Sequence, residues 1–484
     1  MWIFLILCFS LIFRLINLNQ SLWLDEAISA LVARDLMLRE IISNFSKGDF
    51  HPPAYYLLLH FWGKIFGWSE MSIRIPSVLF GIGTIYLIYK IGGKNWGLIS
   101  ALFLATSQFH IYYSQEARMY AMACFLATFS MYWWIKILKN AKRKTQNAKL
   151  QFRFQIFYLI FTLLLIYTDY YGFLLILSQF LGGLIIFRKN LKNYLSQFLP
   201  IYLGIFIFYL PWVSVIVQQV KEGLAGTQNL PEWKAVVNLN FWKALPLTFV
   251  KFTLGRITIF NKKIYALVIL GLLGLVGGIE SWGIYKNYKS DKYKLILIWF
   301  LLPVLVAWLF SLKIPNYQPF RLILVLPAFL LILSKGILAI KNKKLKLGII
   351  GLILGINVLA VFTYWTNSYF WREDWRGVAE YLKKEKIPIV ISSSAFNWPL
   401  VYYGVEKQVI GVVEEAREIK EEDKIGLIGM IGQISKQKIA YTPYLTDVYD
   451  RERKILRWLE EEGFVKIKEV SFNQIPLLVY ENRN

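Results

Sequence analysis

Eleven apolar runs of membrane-crossing length, separated by short connections, leave this chain few architectures to choose from. They lie at roughly 2–18, 75–91, 97–113, 118–138, 154–169, 171–187, 197–217, 264–285, 294–311, 320–340 and 345–366. A helix needs about 20 apolar residues to cross the hydrocarbon, somewhat fewer where aromatics and flanking charges finish the crossing. In lipid each backbone N–H and C=O must be satisfied within the segment, so such runs fold as helices. At 56% hydrophobic and 17% aromatic over 484 residues, the chain holds more apolar surface than one soluble core can bury. The expected class is an α-helical polytopic membrane protein of about 11 transmembrane helices. The opening MWIFLILCFSLIF has no basic leader and no small-residue cleavage site, and reads as a first span that inserts without cleavage. Segment 241–260 is apolar but holds Lys243, Lys251 and Arg256, so it reads as interfacial or re-entrant.

The net charge of +24 sits in short segments between the apolar runs. KNAKRKTQNAKLQFR (139–153), RKNLK (188–192), YKNYKSDKYK (285–294) and KNKKLK (341–346) contain one acid, Asp291. Such loops belong beside anionic lipid on the cytoplasmic side. No soluble basic domain with a reading motif is present, so nucleic acid is excluded as a partner. The alternation through eleven spans predicts a multi-pass plasma-membrane protein with a cytoplasmic N-terminus. The first loop (19–74), the long loop 218–262 and everything after 366 then fall outside the cell. Cys8 and Cys124 lie inside apolar runs and read as packed thiols.

After the transmembrane part (1–366) the composition becomes charged, and residues 367–484 read as a small extracytoplasmic α/β domain. DWRGVAEYLKKEK (374–386) predicts a helix with Trp375, Val378, Ala379 and Leu382 on one face. IPIVISSS (387–394) and KIGLIGM (424–430) read as buried strands. DRERKILRWLEEEGF (450–464) reads as a helix capped by Asp450 and stopped by Gly463, and 465–472 with 476–482 as a closing hairpin.

Chemistry concentrates in the outer turns. Asp25 and Glu26 open LDEAISALVARDL (24–36), an expected interfacial helix on which neighbours point about 100° apart. One acid can then face a cavity and the other a neighbour; the plain alternative is helix N-terminal charge favoured by the dipole. His51 precedes Pro52-Pro53, which start a Tyr-rich helix; it suits a metal, an acceptor or a phosphate, or is an ordinary loop histidine. His60, within that helix, reads as packed. YYSQEARMYA (112–121) sets Glu116 and Arg118 at the same face, as a second acid with an arginine for an anion, or as a lone ion pair. Asp169 in YTDYYG lines a cavity or ends a span, and Arg321 in NYQPFRLILVLP meets a phosphate or snorkels to the surface. No GxGxxG after a strand, P-loop, HExxH or CxxC is present.

These motifs in order, the DE pair, HPPAYYLLLHFWGKIFGWSEMSIRIPSVLFG, YYSQEARMY and QPFRLILVLP, resemble the family 39-like glycosyltransferases of the GT-C fold. That group includes protein O-mannosyltransferases, aminoarabinose transferases of lipid A and the RgtA/B/C/D-like bacterial proteins, and the likeness is greatest to the last. It covers about residues 10–335 and extends to EDWRGVAEYL after the last span. The resemblance implies a membrane hexosyl- or pentosyltransferase that moves a sugar, with inversion, from a polyprenyl-phosphate donor to an envelope glycan, lipid or protein on the outer face. By carry-over Asp25 matches the general base, and Glu116 the second-loop acid that helps hold a divalent cation or orients the acceptor. Arg118 and Arg321 match positions near the donor phosphate. Glu26, His51 and Asp169 are acceptor or metal candidates, with room for Mg2+ or Mn2+. The chain departs from the usual pattern at Phe320-Arg321-Leu322, where related chains often carry tyrosine after the arginine.

Two other readings stay open. A transporter or flippase of lipid-linked sugars predicts charges and broken helices at the midplane in paired halves; here the acids gather at one face, and no second half repeats the first. A non-catalytic assembly subunit predicts no need for Asp25.

Overall fold

A computed structural model describes residues 1–142, 148–259, 261–434 and 437–483. Among the described residues eight helices are long and apolar enough to cross a membrane: Glu70–Gly92, Tyr120–Ala141, Ala148–Ile166, Leu191–Gly226, Lys262–Asn287, Asp291–Phe310, Pro319–Leu338 and Lys343–Thr366. Three shorter apolar helices, Trp2–Leu15, Trp96–Thr106 and Gly172–Ile186, account for the remaining runs. The third run differs from the expected single span. It breaks at Ser107, whose extended backbone (ψ 115°) ends one helix and whose hydroxyl caps the next, Gln108–Ser114. Segment 241–260 supplies a 14-residue helix, Phe241–Leu254, shorter than a span.

One continuous apolar core runs through the bundle from Ile6 to Tyr364, around fully buried Trp134, Trp299, Tyr158 and Tyr293. Large apolar side chains such as Phe206, Phe208, Leu267 and Leu359 face outward, as they must where the surrounding solvent is acyl chain. Some of the polar groups inside are satisfied locally. Arg14, fully buried, donates to the Ser10 hydroxyl at 2.6 Å and approaches His110 Nδ1 at 2.7 Å. Cys124 is buried and donates to the Ile323 carbonyl, whereas Cys8, expected to be packed, lies on the outward face of its helix. His60 is buried, with Nδ1 2.8 Å from the Ala33 carbonyl.

Beyond the last long helix a five-stranded sheet forms from β1 (Ile389–Ser393), β2 (Val409–Val413), β3 (Lys438–Tyr441), β4 (Phe464–Phe472) and β5 (Ile475–Asn482), in the order β2-β1-β3-β5-β4. β1 runs parallel to β2 and β3; β5 is antiparallel to β3 and β4. The helix Trp375–Glu385 buries the four expected residues, with Asp374 accepting from the Gly377 N–H at its start. The expected strand at 424–430 is instead part of a helix, Asp423–Ile434. Its buried residues Leu427 and Ile431 are four apart, and one helix face carries both onto Ile410 and Val412 of β2. The helix expected from Asp450 starts later, at Lys454, because Arg453 takes a left-handed φ of 55°; Asp450 still caps it, accepting from the Lys454 and Ile455 N–H groups.

The sheet unit docks on the first loop rather than hanging free. Tyr402 donates to the Trp68 carbonyl at 2.6 Å, the Tyr403 hydroxyl accepts from the Leu22 N–H at 2.8 Å, and Arg376 pairs with Glu70 at 2.8 Å.

Candidate active site

The first loop turns Asp25 and Glu26 in different directions from the helix Leu24–Asp35. Glu26 points inward and is fully buried. Arg74, from the helix Glu70–Gly92, meets it with two N–H groups at 2.5 and 2.8 Å, the Ala117 N–H donates at 2.7 Å, and Arg372 Nε stands 3.7 Å away. Burial pushes the Glu26 carboxyl up, but Arg372 and Arg74 outweigh it and leave it below its ordinary range. Asp25 points the other way, with about a third of its side chain exposed, at 33%. Its ion partner is Arg118 at 3.7 Å, and among the described residues nothing hydrogen-bonds its carboxylate oxygens.

Arg118 is held by the loop around it. It donates to Tyr56 Oη at 3.1 Å and Ser29 Oγ at 3.3 Å, and its Nη2 lies 3.4 Å from His51 Nδ1. The sequence reading missed Asp49, the acid that completes this group: it accepts from Tyr56 Oη at 2.6 Å and lies 3.3 Å from His51 Nδ1. Burial pushes the Asp49 carboxyl up, yet His51, Arg118 and Tyr56 bring it down to about 2. A folded value below the unfolded one adds stability above about pH 4, lost as pH falls toward the folded value. Melting between pH 5 and 2 is therefore expected to fall less steeply in Asp49→Asn than in the parent, and equal slopes would remove Asp49 from this account. Asp169, buried in the turn before the helix Gly172–Ile186, accepts from the Tyr171 N–H at 2.8 Å. Burial raises it, against the nearby charges of His51, Arg321 and Arg118, so the segments carrying those three residues share one neighbourhood with Asp169. Arg321 gives one N–H to the Asn316 carbonyl at 3.2 Å.

Beside this group lies a cavity of about 360 Å³. Glu116 is in its wall, with Oε2 accepting from Arg372 at 3.1 Å and Oε1 buried without a partner; burial raises this carboxyl above its ordinary range. Arg372, which follows the last long helix, thus ties Glu116 and Glu26 together and lies 4.5 Å from the Tyr112 ring centroid. Lys251 and Arg256 form the cationic side, Arg256 4.1 Å from the same ring. Among the described residues neither has an ion-pair partner, and burial beside Arg256 holds Lys251 down at about 8. Asp25, Arg118 and Arg321 are not in the immediate wall. All three, with Glu116, are within electrostatic range of Tyr120, which is.

Lys251, Arg256, Arg372 and Glu373 were not singled out as site residues from the sequence, though three cations in the apolar stretch 241–260 were a signal. Among the described residues no three His, Cys, Asp or Glu side chains converge on one point. Glu26 and Asp49 are committed to arginine or histidine, and the acids with open oxygens, Asp25 and Glu116, do not converge with a third ligand, so the described residues do not fit a dedicated Mg2+ or Mn2+ site.

Residues 50–215 match the protein family described as dolichyl-phosphate-mannose-protein mannosyltransferase. The whole chain superposes on the crystal structure of ArnT from Cupriavidus metallidurans in the apo state, with TM-score 0.58, 10% identity, and coverage of 99% of this chain and 98% of that one. The same protein bound to undecaprenyl phosphate matches with TM-score 0.57 at 10% identity, over 99% and 98% of the two chains. The archaeal oligosaccharyltransferase AglB from Archaeoglobus fulgidus, in complex with an inhibitory peptide and a dolichol-phosphate, matches with TM-score 0.56 and 13% identity over 91% of this chain and 69% of that one. No curated protein sequence matches the chain.

Proposed function

We propose that this chain, a multi-pass membrane protein with the GT-C fold and family 39-like over residues 50–215, is a glycosyltransferase that takes its sugar from a polyprenyl-phosphate donor. One observation carries the reading: a carboxylate with unfilled acceptor sites, Asp25, lies within electrostatic range of Tyr120 in the wall of a cavity that also holds Lys251 and Arg256, two cations without an ion-pair partner among the described residues. The lipid phosphates held by ArnT and AglB support a donor of this kind. The basic connections at the other end of the bundle, where Lys142 pairs with Asp291, support a site on the outer face and a cytoplasmic N-terminus.

In this mechanism the donor enters sideways from the bilayer with its phosphate against Lys251 and Arg256. Arg321, outside the immediate wall and with one N–H given to the Asn316 carbonyl, adds positive charge within electrostatic range of the same cavity. Arg118 holds Asp25 in place. Asp25 takes the proton of an acceptor hydroxyl as that oxygen attacks the anomeric carbon opposite the phosphate. The carbon–oxygen bond to phosphate breaks, its electron pair leaves with the polyprenyl phosphate, and the sugar is inverted. The cations stabilise the charge growing on that leaving group. No step runs through a divalent cation.

The test is purified protein in lipid nanodiscs, given radiolabelled polyprenyl-phosphate sugars and envelope extract. The expected result is movement of label from the organic phase into the extract. Lys251→Ala and Arg256→Ala should each raise the donor KM by about tenfold, the worth of one charge-assisted contact. Failure of every donor to transfer, or donor binding untouched in both variants, overturns the reading.

A further inference from the structure

The cavity has a second side, built by the segment that follows the last long helix and by the tip of the sheet. Trp371, Glu373 and Gln474 come from that part of the chain, and Trp23 faces the same space from the first loop. The Glu373 carboxylate accepts from Trp375 Nε1 at 2.8 Å and Tyr444 Oη at 3.1 Å, and the Leu24 N–H at the start of the Asp25 helix also points to it. A carboxylate offers about four acceptor positions. Three donor groups fix its orientation, and because the one Tyr444 proton is shared between the two oxygens, at 3.1 and 3.3 Å, a position on the carboxylate can pass to a ligand hydroxyl. The Trp23 indole N–H and Glu116 Oε1, both in this wall, are a buried donor and a buried acceptor without partners among the described residues.

Two indoles, a held carboxylate and an exposed amide suit one chemistry. A sugar ring has an apolar C–H face that packs on an aromatic plane, and hydroxyls at its edge that donate to carboxylates and pair with amides. A peptide hydroxyl on serine or threonine brings no such face. Resting on the glycosyltransferase reading above, we infer that the acceptor is itself a carbohydrate, and that Glu373 holds the hydroxyl adjoining the one presented to Asp25. The C-terminal unit thereby selects the acceptor, while the membrane helices bind the donor.

Full-length protein without donor is titrated with deproteinised envelope polysaccharide, with extracted glycolipid and with a pool of Ser/Thr-rich peptides, reading tryptophan fluorescence. Polysaccharide or glycolipid is expected to give a saturable change, and whichever binds identifies the source of the sugar. Glu373→Gln, which keeps the volume, should weaken it by about tenfold, and Trp371→Phe by a smaller factor, with undecaprenyl-phosphate binding unchanged in both. Peptide binding without carbohydrate binding, or full affinity in both variants, overturns the inference. Carbohydrate binding through Glu373 with no sugar transfer under any donor sinks the enzymatic reading alone. Transfer onto peptide sinks this inference and leaves that reading standing.

Discussion

Asp25→Asn is expected to remove sugar transfer, by roughly 10²–10⁴-fold in kcat, while the protein inserts, folds and binds donor as before. The amide has nearly the shape of the carboxylate but cannot take a proton. Its surroundings make a clean result possible: Asp25 is partly exposed and makes one long ion pair, at 3.7 Å to Arg118. A pair of that kind contributes less than about 1 kcal/mol to stability. Single-turnover measurement with bound donor separates the chemical step from binding. Wild-type turnover in the variant would remove Asp25 from the role of base.

The adjacent carboxylate is expected to behave in the opposite way. Glu26→Gln should destabilise the protein by about 3 kcal/mol, because it leaves the buried Arg74 and Arg372 without their shared anion. The loss is held to the lower end of the range for broken buried pairs because Arg74 keeps the carbonyls of Leu18, Gln20 and Ser21. Thermal unfolding in one detergent, with Asp25→Asn beside it, reads the contrast directly. A Glu26→Gln protein that melts with the parent would mean that the Arg74 carbonyl contacts suffice and the ion pair adds little.

That contrast marks what the chain reveals without its structure. The eleven runs were legible because lipid forces an apolar segment to be helical whatever its neighbours are. The split between Asp25 and Glu26 was legible from helix geometry, since adjacent residues cannot share a face. Which acid points inward was not, because that depends on Arg74 and Arg372 arriving from distant segments. Asp49 was passed over although His51 and Tyr56 lie in its own stretch, because the fold of the loop that closes them around it, and the arrival of Arg118, are not visible in the sequence. The stretch 424–430 was misread because its glycines hide the four-residue spacing of Leu427 and Ile431. Lys251 and Arg256 were visible as costly charges in an apolar segment, but the cavity they share, and the approach of Arg256 to Tyr112, are tertiary.

The bond between Arg372 and Glu116 spans 256 residues of sequence. At ribosomal speeds of roughly 5–20 residues per second, the acid is in place for about ten to fifty seconds before its counter-ion is made. Until then Glu116 lacks the guanidinium that hydrogen-bonds it, and the pocket stays unfinished. Premature stops or truncations anywhere before 372 should therefore yield a barrel of inserted helices with no working centre, and grafting another protein's tail onto these spans would fail unless it brought an arginine to the same spot.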